Sequence, residues 1–273
     1  MTQRLPLLIC PLCRTPLQPQ LNSLRCEQQH NFDRAKQGYY HLLPVQHKKS
    51  RAPGDNQAMV EARRRFLGQQ FYLPIAERLS QAAQQIAPNH WLDIGCGEGF
   101  YTQHLGRQLS HSQGIGLDIS KEAVKYASSK HSPITWLVAS MNNLPVADHS
   151  IALITSLFSP LDWQECARVL APQGQLLKVS PASQHLIELR QQLYDQVQAY
   201  DDNKHAEEAP KAFSLNRTEY LSFNLELPTA QDRSDLLAMT PHGWRAAEEK
   251  RQHFINHPQT VTVAVRFDWF SLC

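Results

Sequence analysis

The stretch HWLDIGCGEGF, residues 90–100, restricts the possible folds of this chain more than any other. A short apolar run leads to a carboxylate at Asp93 and then to glycines at three alternate positions, Gly95, Gly97 and Gly99. An apolar run of this length bounded by glycine reads as a buried strand, and the FYTQHLGRQL that follows has helical spacing. The alternation continues with strands GIGLDIS, ITWLVAS, SIALITSLF and QLLKVSP, and helices KEAVKYASSK and WQECARVLAP. Strands alternating with helices of about ten residues build βαβ units around a parallel sheet. Two further helices precede this region, from Met59 and over LPIAERLSQAAQQI. HLIELRQQLYDQVQAY reads as a helix behind it, followed by the polar loop DDNKHAEEAPK. LSFNLEL and TVTVAVRFDWF then read as a closing strand pair with helical DRSDLLAM between them. The expected architecture is α/β and Rossmann-like.

Glycines after the first strand let a ligand approach the backbone at the carboxyl edge of the sheet, beside a helix N-terminus. Dinucleotide enzymes also use such a loop, with GxGxxG spacing. Here the spacing is GxGxG. Asp93, two residues before Gly95, suits a cationic amino group and would repel a pyrophosphate. The second strand ends at Asp118, which places a carboxylate where ribose hydroxyls would lie. Asp93, Gly95, Gly97 and Asp118 therefore point to a nucleoside ligand carrying an amino group. After the fourth strand, SLFSP places Phe158 either on the ligand site or in the core, and both readings stand.

Three of the six cysteines fall within the first 26 residues, as Cys10-x2-Cys13-x12-Cys26, with His30 four residues beyond. No export signal is recognisable, so these read as metal ligands and not as disulfide partners. Three thiolates and an imidazole suit a closed tetrahedral zinc site, which has no open position for catalysis. His41 and His47 compete with His30 as fourth ligand. Cys96, Cys166 and Cys273 have no evident partners. No apolar run approaches the roughly 18 residues of a membrane-spanning helix, and a cytoplasmic location is expected.

The net charge of +2 does not by itself indicate a nucleic-acid partner. The segment from Arg34 to Arg65, however, holds Lys36, Lys48, Lys49, Arg51, Arg63 and Arg64 against only Asp55 and Glu61. It reads equally as a phosphate-tracking surface or as a solvated linker and helix face. Three parts follow: residues 1–35 as a zinc-binding module, 36–58 as a basic linker and 59–273 as the α/β domain.

Asp93, the glycines and Asp118, with ASM at residues 139–141 and ARVLAPQGQL at 167–176, resemble the class I S-adenosyl-L-methionine-dependent methyltransferases. The runs CPLC, CEQQHNFDRAKQGY, LLPVQHKKSRAPGD, ARRRFL, FYLPI, LFSP, HLIEL and MTPHGWRA extend this. Together they resemble the bacterial 23S rRNA guanine-N1 methyltransferases of the RlmA type, more closely the branch acting on guanine 745 than that acting on guanine 748. The resemblance implies that Cys10, Cys13, Cys26 and His30 hold structural zinc. It also implies that Tyr72, Gly97, Glu98 and His185 contact the cofactor, and that a homodimer binds 23S rRNA. It assigns no general base. APQG stands where the family commonly has KPGG. A small-molecule methyltransferase of the quinone-biosynthesis type accounts for residues 90–180 only. A non-catalytic zinc-dependent RNA-binding protein leaves the intact glycine loop unexplained.

Overall fold

A computed structural model describes residues 7–44, 46, 54–129, 133–197, 200–202 and 208–273. Lys48, Lys49, Arg51 and His47 of the basic segment lie outside these. Three short strands, β1 (Gln18–Pro19), β2 (Ser23–Arg25) and β3 (Asn31–Asp33), make a small antiparallel sheet. Everything after it is organised around one eight-stranded sheet.

The parallel part contains β4 (Tyr40–His41), β5 (His90–Ile94), β6 (Gln113–Asp118), β7 (Thr135–Val138), β8 (Ile151–Leu157) and β9 (Leu170–Pro181). The closing pair is β10 (Phe213–Leu227) and β11 (Gln259–Leu272). Across the sheet the order is β10-β11-β9-β8-β5-β6-β7-β4. β11 runs antiparallel to both neighbours, while β9 to β4 are mutually parallel. The chain reverses its direction of winding at β5, and a ligand crevice forms outside the carboxyl ends of the strands at such a point. The glycine loop leaves β5 there.

The helices form where the sequence signals them. Asn56 accepts a hydrogen bond from the Met59 amide to cap α1 (Gln57–Gly68). A proline in its first turn starts α2 (Leu73–Ile86), and Ala87 in the left-handed region ends it. α3 (Phe100–Gln108), α4 (Lys121–Ser128) and α5 (Trp163–Val169) complete the crossovers. α6 spans only Ile187–Leu193, where the periodicity predicts a helix through Tyr200. Tyr194 turns extended at its end, and the Tyr194 hydroxyl meets His242 Nδ1 at 3.0 Å, so a tertiary contact overrides the helical pattern. Further on come α7 (Ala230–Ala238), α8 (His242–Arg245) and α9 (Glu248–Asn256). A reciprocal capping box between Thr229 and Asp232 opens α7.

Alternation along the strands divides the core by face. Trp91, Leu153, Leu177 and Val179 pack with the helices α1, α2 and α6. Leu92, Ile94, Ile154 and Leu176 face the other way, into a cluster that also contains Cys10, Leu17, Leu24 and Cys26. The connection from β7 to β8, residues 139–150, contains no helix. The N-terminal ribbon covers that sheet face instead. Ile9 donates its amide to Pro145 O at 3.1 Å, Ala147 donates to Leu7 O at 2.9 Å, and Leu8 bridges Val146. The ribbon is thus part of the core packing.

Candidate functional site: a glycine-lined cavity beside a zinc ribbon

A cavity of about 860 Å³ lies at the carboxyl ends of β5 to β9. Its floor is the glycine loop. Gly95 has φ +77°, and a Cβ there would sit 2.1 Å from Ser159 Oγ, so only glycine lets the loop after β8 close over it. Gly97 (φ +54°) donates its amide to Asp118 Oδ2 at 2.9 Å, and the Ser120 amide donates to Oδ1 at 2.8 Å. One acceptor site on each carboxylate oxygen remains for a ligand hydroxyl. Glu98 lines the same wall and is nearly buried. Burial pushes the carboxyl groups of Glu98 and Asp118 above the usual range, and the Arg63 guanidinium opposes the rise in each.

Asp93 takes a different position from the one expected. It lies behind the cavity wall, where Thr102 Oγ1 donates to Oδ2 at 2.5 Å and Thr155 Oγ1 donates to Oδ1 at 2.8 Å. Burial raises its carboxyl to about 6 against those two bonds. The carboxylate fixes β5, β8 and α3 relative to one another and is not among the residues that line the cavity. No local pattern marks Thr102 or Thr155 as its partners, because the contact joins positions 9 and 62 residues away.

Opposite the glycines stands an aromatic wall. The Tyr72 and Phe158 ring centroids are 6.3 Å apart, Phe158 and His185 5.9 Å, and Tyr72 and His185 6.5 Å. Phe158 is 40% exposed, which settles its place on the cavity and not in the core. His185 Nδ1 accepts the Ala264 amide at 3.3 Å, leaving the ring proton on Nε2. Burial pulls its pKa down to about 3, so the ring stays neutral.

Lys178, a site residue that the motifs do not single out, is buried on the same wall. It donates to Ser156 Oγ at 3.2 Å and to Ser159 O, and burial lowers it to about 8. A lone lysine inside an apolar strand is the signal that could have found it. The arginines of α1 each meet a partner within the chain. Arg63 pairs with Asp55 inside the cavity, Arg65 pairs with Asp235 at 2.6 Å, and Arg64 lies 5.1 Å over the Tyr126 ring. Arg63 belongs to the cavity, while Arg64 and Arg65 stay exposed on the face of α1.

The second centre lies on the other side of the sheet. One donor atom from each of Cys10, Cys13, Cys26 and His30 falls within 4.8 Å of the others. Cys13 Sγ and Cys26 Sγ are 3.6 Å apart, and His30 Nδ1 is 3.5 Å from Cys10 Sγ and 3.3 Å from Cys26 Sγ. Tetrahedral ligands around zinc stand roughly 3.8 Å apart, given zinc–sulfur bonds of about 2.3 Å. The donors fit that ion. His41 belongs to β4, leaving His30 as the imidazole of this cluster among the described residues. The Cys10–Cys13 knuckle reaches the cavity side through Asn143. Asn143 donates to Pro11 O at 3.1 Å and accepts from Arg14 at 2.9 Å, and neighbouring Ala139 to Asn142 line the cavity.

This fold, with a nucleoside-sized cavity over a GxGxG loop, defines a class I methyltransferase carrying a zinc ribbon. Residues 92–174 match the methyltransferase domain family, and residues 8–51 match the zinc-ribbon family described as RlmA, N-terminal. A type II methyltransferase candidate of known structure from Anaeromyxobacter dehalogenans shares the fold. Its TM-score is 0.51 at 17% identity, over 70% of this chain and 94% of that one. The 23S rRNA (guanine(748)-N(1))-methyltransferase of Streptomyces fradiae is 34% identical over 268 residues, 94% of each chain. A candidate 23S rRNA (guanine-N(1)-)-methyltransferase of Bacillus subtilis is 32% identical over 88% of each. The malonyl-[acyl-carrier protein] O-methyltransferase of Hahella chejuensis matches only 43% of this chain at 32% identity. The chain belongs to the 23S rRNA guanine-N1-methyltransferase family.

Proposed function

We propose that the protein transfers a methyl group from S-adenosyl-L-methionine to N1 of a guanine in 23S rRNA, at position 745. The observation that carries this reading is the wall of Tyr72, Phe158 and His185 facing the glycine loop across one cavity. A planar base and a nucleoside cofactor need those two surfaces. The preference for position 745 rests on the sequence runs quoted above, against a relative whose own target is guanine 748.

When bound, the cofactor supplies an electrophilic methyl group on a sulfonium. Gly95 and Gly97 admit its backbone-hugging part, Asp118 accepts its ribose hydroxyls, and Glu98, Tyr72 and His185 border it. Asp93 acts as a positioning residue through Thr102 and Thr155. Guanine N1 is protonated and paired in a duplex, so the base must leave its helix and enter the cavity. Phe158 stacks on it. N1 would give up its proton to solvent and take the methyl group, with the cofactor leaving as its neutral thioether. Lys178 stabilises the negative charge that builds on guanine O6. Neutral His185 keeps a hydrogen-bond donor on the wall without adding a charge.

The ribbon, residues 1–35, is a structural zinc module, and the basic segment 36–58, which gives β4 to the main sheet and Asp55 to the cavity, joins it to the catalytic domain 59–273. It helps select RNA. The enzyme acts as a homodimer in the cytoplasm, and among the described residues no helix is long and apolar enough to cross a membrane. Incubation with labelled S-adenosylmethionine and undermethylated 23S rRNA, followed by mapping of the modified base, tests the reading. Label on N1 of guanine 745 is expected. Label on guanine 748 overturns the position, and no label in rRNA overturns the function. Sedimentation at micromolar concentration tests the dimer.

A further inference from the structure

A second cavity, of about 330 Å³, lies between α6 and α8 and shares Tyr200 and His242 with the first. Its described lining includes Arg190, Tyr194, Tyr200, His242 and Arg245. The His242 ring is held from both sides, its Nδ1 3.0 Å from the Tyr194 hydroxyl and its Nε2 3.3 Å from the Tyr200 hydroxyl. Arg190 lies 4.4 Å over the Tyr200 ring and donates to Ser183 O at 2.6 Å, so its guanidinium is fixed. Burial, and then the charges of Arg190 and Arg245, lower the His242 pKa. Both guanidinium groups therefore act on one small volume. Beside it, Trp244 stands 57% exposed on the rim of the larger cavity.

We propose that this second cavity binds a backbone phosphodiester of the RNA strand next to the flipped guanosine, with Arg190 and Arg245 as its cationic walls. Planar guanidinium groups recognise phosphate oxygens through paired N–H donors, and tyrosine hydroxyls supply further donors. The shared wall of Tyr200 and His242 fixes the spacing: a phosphate held on one side leaves the attached base to enter the other. The PHGWR run, residues 241–245, is thereby given a role that the methyl-transfer cavity alone leaves unexplained. The inference rests on the RNA-methylating reading above.

The test uses the full-length protein and an RNA hairpin carrying the target guanine. Arg245 is exposed, so Arg245→Gln is expected to fold normally. It should weaken hairpin affinity roughly tenfold and reduce the salt slope by about one, with affinity for S-adenosylmethionine unchanged. Arg245→Lys should restore most of the slope. A hairpin with one uncharged methylphosphonate linkage beside the target guanosine should lose the same affinity for the wild type and lose nothing more for Arg245→Gln. Arg107→Gln, on the remote helix α3, controls for charge alone. Losses that simply add in the Arg245→Gln and methylphosphonate pair, or that match those of Arg107→Gln, overturn the proposal. Weakened cofactor binding by Arg245→Gln would assign the site to the cofactor carboxylate instead, and also overturns it. A wild type that methylates no RNA refutes the functional reading and not the phosphate site alone.

Discussion

The two centres of this molecule are built in opposite ways. The metal cluster draws its four donors from positions 10 to 30, one local knuckle and one return strand. The methyl-transfer cavity draws its wall from residues as far apart as Gly54 and Trp244. A metal gathers its ligands by strong, short bonds, so their spacing along the chain is nearly a description of the site. A cavity is gathered by the packing of a whole sheet, and its residues are neighbours only once the fold exists. Yet the two are joined. The ribbon occupies the face that the helix-free β7–β8 connection leaves bare, and it pins residues 143–147, next to the cavity-lining stretch Ala139 to Asn142.

The largest expected effect tests that junction. Chelating the metal, or Cys26→Ser, should abolish rRNA methylation and lower the melting midpoint by roughly 10 °C or more, as a loss of about 4 kcal/mol implies for a chain of this size. Hydrogen exchange should show lost protection at Cys10, Leu17 and Cys26 and also at Ile9 and Ala147, and cofactor affinity should fall several-fold. Unchanged cofactor affinity with exchange confined to residues 7–34 would make the ribbon a mere appendage.

Within the cavity, Asp118→Asn should weaken cofactor binding roughly 30-fold, since the charged acceptor of a hydrogen bond is worth about 2 kcal/mol. Titration calorimetry reads this directly, and the melting midpoint should also fall by a few degrees, because the carboxamide nitrogen replaces one of the two oxygens that accept from the Gly97 and Ser120 amides. Retained affinity would remove Asp118 from the ribose site.

The same contrast governs how much of the molecule is legible in its sequence. Strand β5 and its glycines, the ends of β6 and β9, and helix α2 are local patterns, and each appears where hydrophobic period and turn residues place it. Asp118 is legible for the same reason, as the last residue of a strand. The face of Asp93 is not. Its spacing suggests a ligand contact, but burial between Thr102 and Thr155 depends on α3 and β8 arriving at one point. The arginines of α1 leave two readings open for the same reason. Charge along a sequence shows that a cation is present, while its partner, Asp55 or Asp235, is decided by tertiary packing.

Phe158→Ala sharpens the distinction between the cavity's two surfaces. Stacking of a base on an aromatic ring is worth about 1–3 kcal/mol, so kcat/KM for rRNA should fall roughly tenfold while cofactor affinity holds. Phe158→Tyr should restore most of the activity. Loss of cofactor binding in the alanine variant would place the ring against the cofactor instead of the base.

At Asp93 stability and pH are linked. Its carboxyl is raised to about 6 in the folded chain, above the usual 3.8. Such a group contributes stability that is fully present below the unfolded pKa and lost as pH rises through the folded one. At pH 7.5 the wild type thus holds a buried charge that costs it roughly 3 kcal/mol relative to pH 3.5. Asp93→Asn carries no such charge, and its carboxamide accepts from one threonine hydroxyl and donates to the other. The difference in melting midpoint, variant minus wild type, should therefore grow by several degrees between pH 4 and pH 7.5 in cofactor-free protein. A difference that shrinks over this range would mean that the carboxylate is stabilised by a positive partner, and that Asp93 faces a cation after all.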